Sequence, residues 1–252
     1  MEISETQIDH FHRNGFILVE NPFAESQMQV IDRLSRANEK ELESTDLDPE
    51  ANPSVCRFFM AGESAFQLAE QPDVVAAARR LLGTEDIHIG ACGFGDASSR
   101  AGANGRRQIH WHADGGPDVK QVSFRTALDR HDPTNGPLRV LPGTHIQPRD
   151  KMQEELLQLE LATGRHDAHP KALYARHPQE VELILDPRWT LVWTPSCWHA
   201  TGEKTGAGPR RTICWNYYPP GGRHRDRDLL KQVLDGQWQN WSPERKQLWG
   251  LV

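Results

Sequence analysis

Along the first 86 residues the apolar positions recur at helical spacing, and from Ile87 they fall into short runs separated by turn residues. Ser4 and Gln7 form a capping box, because each side chain can satisfy a free backbone N–H at a helix start. Ile8 and Phe11 follow on one helical face, and Gly15 supplies a left-handed stop. "FILVE", Phe16–Glu20, then reads as a strand. A second helix is predicted from about Glu25 to Leu42, with Met28, Ile31 and Leu34 on one side. The acidic, Pro-containing stretch Glu43–Pro53 reads as an exposed loop. Pro72–Gly83 is a third helix, opened by Pro, filled with Ala and Leu and closed by Gly.

The second part reads differently. "IHIGACGF", "IHWHAD", "VSFRTALD", "LRVLPG", "VELIL", "TLVWTP" and "RTICWNYYP" are strand-like runs bounded by Gly, Pro, Asn and Asp. Helices first and many short strands afterwards predict a mainly β sandwich or barrel braced by α-helices. A helix over Lys151–Gly164 interrupts the strands, and "DLLKQVLDGQW" adds another near the C-terminus. The expected organisation is a single domain over 1–252. It comprises a mainly helical part (1–86), a β core (87–220) with a helical insertion near 151–164, and a C-terminal helical segment (221–252). No repeat, low-complexity tract or Gly/Ser linker argues for a second unit.

Composition narrows the function classes. A chain of 252 residues suits one large β domain. Its net charge of −6 and pI near 6.1 make no electrostatic case for nucleic acid or an anionic membrane as partner. No apolar run approaches a membrane span, and the polar, acidic "MEISETQ" start does not read as a secretory signal. The four cysteines form no CxxC pair, as expected of isolated thiols in a reducing cytoplasm. A soluble cytoplasmic protein is expected, as a monomer or a homodimer.

The chemistry concentrates in two places. "QIHWHADGG" sets His110, His112 and Asp114 at alternate positions, so a strand projects three potential ligands to one face. On the residues alone this is either a solvated polar face or a site for a divalent transition metal, with two of the three bound. The second cluster follows "TLVWTP", where His199 precedes the basic pair Arg210–Arg211. Two histidines and one carboxylate form a facial triad that leaves three cis positions open, two for a 2-oxo acid and one for dioxygen. A buried arginine, permanently charged and fork-shaped, suits the far carboxylate of such a cosubstrate.

Four stretches in order resemble the phytanoyl-CoA dioxygenase-like (PhyH) family of Fe(II)/2-oxoglutarate oxygenases. "ETQIDHFHRNGFILVENPF" looks like the family's first helix and strand, and "WHAD" at Trp111–Asp114 looks like its WHxD motif. "LDRHDPTNGPLRVLPGTH", Leu128–His145, is similar to the "ALDD…NGPL…PGSH" segment, and "WHATGEKTGAGPRR" looks like the distal His and cosubstrate Arg. The resemblance covers about Glu5 to Pro219. It implies a double-stranded β-helix (jelly-roll, cupin-like) core, with iron held by His112, Asp114 and His199. His110 is then a neighbour or a hydrogen-bond partner rather than a ligand. Arg210 matches the 2-oxoglutarate anchor, with Arg211 as the alternative one residue on. Thr201 matches a position that often presents a hydroxyl to the cosubstrate. Related halogenases replace the carboxylate ligand by a small residue, so Asp114 favours oxygenation.

One departure stands out: "FRTALD" places Arg125 where many relatives carry an aromatic residue. It either contacts 2-oxoglutarate or the acidic group of a substrate, or reaches solvent on an offset strand. The polar Phe94–Gln108 segment, with Arg100, Arg106 and Arg107, reads as a lid or a surface loop. Trp193, Trp198, Trp215, Tyr217 and Tyr218 read as core rather than substrate box. The implied activity uses Fe(II), 2-oxoglutarate and O2 to hydroxylate an unactivated C–H bond of a small metabolite or natural-product intermediate, releasing succinate and CO2. Alternatives are the same oxidation ending in desaturation, epimerisation or cyclisation, a metal-dependent cupin-type isomerase or zinc hydrolase, and a non-catalytic binding relative.

Overall fold

The computed structural model describes residues 1–41, 53–96, 109–165, 172–206 and 209–252. Its helices are α1 (Glu5–Asn14), α2 (Glu25–Glu41), α3 (Pro53–Met60), α4 (Glu63–Glu70), α5 (Pro72–Leu82), α6 (Arg149–Ala162), α7 (Arg227–Leu234) and α8 (Pro243–Leu248). Its strands are β1 (Phe16–Glu20), β2 (His88–Asp96), β3 (Ile109–His112), β4 (Val122–Ala127), β5 (Leu138–Val140), β6 (Val181–Leu183), β7 (Trp189–Trp193), β8 (His199–Thr201) and β9 (Arg211–Tyr218). They form two antiparallel sheets, one ordered β1-β7-β4-β9-β2 and the other β3-β8-β5-β6. This is the expected jelly-roll core with peripheral helices.

The larger sheet uses both faces, as the two-residue period of its strands requires. Phe124 and Trp215 stack at 6.1 Å on the outer face, join Tyr217, Val122 and Val192, and meet the helical layer through Phe58 and Phe66. The Tyr217 hydroxyl donates to the Ala69 carbonyl of α4, fixing the layer's register on the sheet. Trp249, just past α8, wedges against Phe58, Phe59 and Phe66 and donates its indole N–H to Glu70, so the C-terminal segment closes under α3 and α4. The smaller sheet is backed by α6, where Trp111, Trp198, Ala200, Met152 and Leu156 form a second core. The inner faces then enclose Leu138, Val140, Leu191 and Trp193 at one end and a polar cavity beside them.

Local signals placed many of these elements. Ser4 and Gln7 form the capping box, and Gly15 adopts φ 87° with its N–H on Phe11 O. That glycine is required twice over, since a Cβ there would stand 2.2 Å from Cys197 Sγ. Among the described residues, α3, α4, α8 and β8 escaped the sequence pattern. α3 and α4 have no expected counterpart, because Gly62 begins α4 with no side-chain cap bond and burial of Phe58, Phe66 and Leu68 holds the pair instead. β8, only three residues long in a Pro- and Ser-flanked segment, exists because β3 and β5 pair with its two edges. The expected C-terminal helix stops early at Asp235, which takes φ 44° before a 3-10 turn over Gln237–Asn240. Of the loop expected over Glu43–Pro53, Pro53 opens α3 and the remainder lies outside the described residues.

Candidate active site

β3 and β8 are neighbours, and their pairing sets His112 directly opposite His199, with ring centroids 4.1 Å apart. Each imidazole is oriented by its own chain. His112 Nδ1–H donates to His110 O at 2.8 Å, and His199 Nδ1–H donates to Cys197 O at 2.8 Å. Protonation at Nδ1 leaves Nε2 as the lone-pair nitrogen on both rings, a tautomer fixed by the backbone. Asp114 follows two residues after His112; its N–H donates to Pro195 O at 2.9 Å, and its Oδ1 lies 4.0 Å from His112 Nε2. One ligand atom from each of His112, Asp114 and His199 lies within 4.8 Å of the others. Burial holds the His199 pKa well below the usual histidine range, so this ring stays neutral. Trp193 meets His199 edge-on at 4.7 Å. Two imidazole nitrogens and a carboxylate form a donor set that fits a divalent transition metal.

His110 is a neighbour of this group rather than a member of it, its ring 5.5 Å from that of His112. The β3–β8 pairing shifts register between Ile109 and His112. The His110 ring turns edge-on towards Tyr174, and its contribution is the backbone carbonyl that orients His112.

The three ligand side chains open on a cavity of about 220 Å³ that also receives Thr201, Trp193, Arg125, Ser123, Cys214 and Asn216. Arg125 therefore points inward rather than to solvent. Its Nε is buried and makes no hydrogen bond among the described residues. Arg210 is 3% exposed, just before β9, on the strand side that continues through Cys214 and Asn216 into the cavity. It is not itself one of the cavity-lining residues. Both guanidiniums act on His131, whose pKa is lowered to about 3 by burial first and then by the charges of Arg210 and Arg125. Arg211 faces the opposite way, paired with Asp129 at 2.7 Å and Asp32 at 2.6 Å. Arg100, Arg106 and Arg107 lie outside the described residues.

Residues 11–212 match the phytanoyl-CoA dioxygenase (PhyH) family. The chain belongs to this family. PhyH enzymes are Fe(II)- and 2-oxoglutarate-dependent dioxygenases, with O2 as second cosubstrate. An ectoine dioxygenase of Bordetella bronchiseptica is 26% identical over 182 residues, 63% of this chain and 57% of that protein. The chain thus matches a little over half the length of that curated relative. Among solved structures, EctD from S. alaskensis with 2-oxoglutarate and 5-hydroxyectoine superposes with a TM-score of 0.60 at 20% identity, over 86% of this chain and 76% of that one. The 2-oxoglutarate-dependent epimerase SnoN of nogalamycin biosynthesis gives a TM-score of 0.59 at 14% identity, over 85% and 80%.

On this PhyH scaffold some cavity residues had no signal in the sequence. Arg225 reaches the cavity from the segment after β9 and is held by Asp226, with Nε–Oδ1 at 2.7 Å. Asp226 is 6% exposed and also accepts the Cys92 N–H at 2.7 Å, beside the register shift in β2. The Arg-Asp alternation in "RHRDRD" was the available clue. Asn216 lies on the Arg210 side, as strand parity indicates, but its pairing with Ser123 across β9 and β4 on the inner face needs the register. Of the aromatic group expected in the core, all five are buried, but Trp193 also lines the cavity.

Proposed function

We propose that this chain is an Fe(II)- and 2-oxoglutarate-dependent oxygenase of the cytoplasm, hydroxylating an unactivated C–H bond of a small metabolite. The observation that carries the reading is the convergence of His112, Asp114 and His199 in a cavity shared with an inward-facing guanidinium, Arg125. His112 and His199 would bind the ion through Nε2, and Asp114 would supply the anionic ligand. When bound, iron with 2-oxoglutarate supplies the activation of O2, with succinate and CO2 as the coproducts.

The protein's remaining work is orientation and exclusion of water. Arg125 and Arg210 would bind the far carboxylate of 2-oxoglutarate by charge-assisted hydrogen bonds, and His131, kept neutral, adds no third charge. The Thr201 hydroxyl, beside His199 on β8, would donate to the same cosubstrate. Trp193 and Leu138 give the cavity an apolar wall that keeps water from the reacting centre. Desaturation, epimerisation or cyclisation would follow from another placement of the substrate over the same groups.

The names of the relatives make ectoine the first compound to try, within a wider panel of small metabolites. Purified protein is incubated aerobically with Fe(II), ascorbate, 2-oxoglutarate and each compound, and succinate is measured. Substrate-stimulated succinate release, lost in Arg125→Leu and Arg210→Leu with iron still bound, supports the reading. Activity that persists without 2-oxoglutarate, or in both arginine variants, contradicts it and favours a metal-dependent isomerase or hydrolase.

A further inference from the structure

The end of the cavity away from Arg210 carries a hydrogen-bond relay whose direction is fixed by a backbone carbonyl. Ser196 Oγ lies 3.1 Å from Val119 O. A carbonyl has no proton, so the Ser196 hydroxyl spends its only hydrogen there. Gln121 Nε2, 3.1 Å from Ser196 Oγ, must then be the donor of the next bond. That choice leaves Gln121 Oε1 as the acceptor for Asn216, 3.2 Å away. Asn216 must therefore turn its Nδ2 to Gln121, where it also meets the Tyr218 hydroxyl at 3.4 Å. Gln121 and Ser196 are 3% and 4% exposed, so water offers little competition for these bonds. An amide's orientation is ordinarily ambiguous, and here the network decides it.

The consequence lies in the cavity. Asn216 lines it, and with Nδ2 committed behind, Oδ1 is the atom left for a ligand. Ser123 stands opposite, and Asp114 and Pro195 border the same space. Arg210 is six residues back, about 20 Å along an extended strand, so a cosubstrate anchored there leaves this end open.

We propose that Asn216 is a specificity-determining residue that presents a hydrogen-bond acceptor to the primary substrate, and that this substrate carries an N–H or O–H donor near its reacting carbon. The assignment rests on the oxygenase reading and names the substrate class of the same site. A compound lacking the donor leaves Oδ1 desolvated and unpaired, which costs more than a lost contact. Gln121, Ser196 and Val119 act through Asn216 as positioning groups.

The test uses full-length protein loaded with Ni(II) and 2-oxoglutarate, which holds the site filled without turnover. Binding is measured by ligand-observed NMR for matched pairs: 2-pyrrolidone and N-methyl-2-pyrrolidone, cyclohexanol and cyclohexyl methyl ether. The first pair reads N–H donation and the second reads O–H donation. Donor-bearing members are expected to bind wild type about tenfold more tightly. The preference should vanish in Asn216→Leu, survive in Asn216→Asp, which keeps an acceptor, and weaken in Gln121→Leu, where the amide is free to turn. Equal binding of both members, no binding of either, or an undiminished preference in Asn216→Leu overturns the assignment. Each protein is also checked anaerobically for the visible absorption band of its Fe(II)–2-oxoglutarate chelate. No band in wild type would count against the oxygenase reading itself, whereas a normal band without donor preference would count against Asn216 alone.

Discussion

At the metal end of the cavity, His112 and His199 take their orientation from carbonyls two residues upstream in their own chain segments. At the other end, Arg125 comes from β4, Arg210 from the approach to β9 and His131 from the connection after β4, three separate stretches brought together only by the folded sheet. The electrostatics differ in the same way. The histidine–aspartate end offers a carboxylate and two imidazoles, a set that suits a cation. At the guanidinium end the charges of Arg210 and Arg125 both act on His131, a setting that suits an anion. A dication chelated by a dicarboxylate would satisfy both ends at once.

The largest effect separating the two ends is expected from His199→Ala. Iron affinity should fall by at least ~100-fold and succinate release should drop to background, while the melting temperature of the metal-free protein changes little. Isothermal titration anaerobically with Fe(II) checks the first part and calorimetry the second. At the opposite end, Arg125→Leu should raise the KM for 2-oxoglutarate by roughly 100-fold, the loss of a desolvated charge-assisted contact, with iron affinity kept. Arg211→Leu gives the contrasting result. It should leave that KM nearly unchanged and cost about 3 kcal/mol or more of stability in urea, because Asp129 and Asp32 lose their shared cation.

A smaller effect comes from pH. His131 has a folded pKa of about 3 against an ordinary value of 6.5. Between those values the unfolded chain holds a proton that the folded protein does not, so the stability contribution is complete above pH 6.5 and falls as pH drops towards 3. The slope from this one group is at most about 1.4 kcal/mol per pH unit. Urea denaturation of metal-free protein at pH 7, 6, 5 and 4 should show a shallower decline in His131→Gln than in wild type. An identical decline would mean that His131 protonates freely and that the guanidinium end is wetter than described. The smallest effect is expected at His110. Replacing its ring in His110→Phe should change iron affinity by less than about threefold, since His112 is held by the residue 110 carbonyl, which the substitution keeps. A tenfold loss would put the His110 ring in the site.

These contrasts also mark what a reader of the chain alone can reach. The histidine–carboxylate motif is legible because its ligands are near neighbours in sequence and the distal His follows a recognisable strand. The opposite faces of Arg210 and Arg211 follow from strand parity, and the ion pairs of Arg211 agree with that parity. His110 stays beside His112 but outside the cluster, and the register shift in the β3–β8 pairing next to it is invisible in HxHxD. β8 is hidden for a related reason: three residues carry no periodicity, and only pairing on both edges makes them a strand. Helices α3 and α4 are stabilised by buried Phe58 and Phe66 rather than by caps or turn residues, so the signal resides in tertiary packing. Asn216 shares the Arg210 side by the same parity, whereas its pairing with Ser123 depends on register and Arg225 on a chain segment folding back, which no local pattern encodes.

The most direct measurement of the central claim is an anaerobic Fe(II) titration with and without 2-oxoglutarate, following the weak visible charge-transfer band of the iron-bound cosubstrate. Wild type should develop the band at one equivalent of iron, Arg125→Leu should need far more 2-oxoglutarate to reach it, and His199→Ala should not develop it. Stoichiometric iron binding by wild type with no band at saturating 2-oxoglutarate would contradict the account, because the two ends of the cavity would then not be bridged by one cosubstrate.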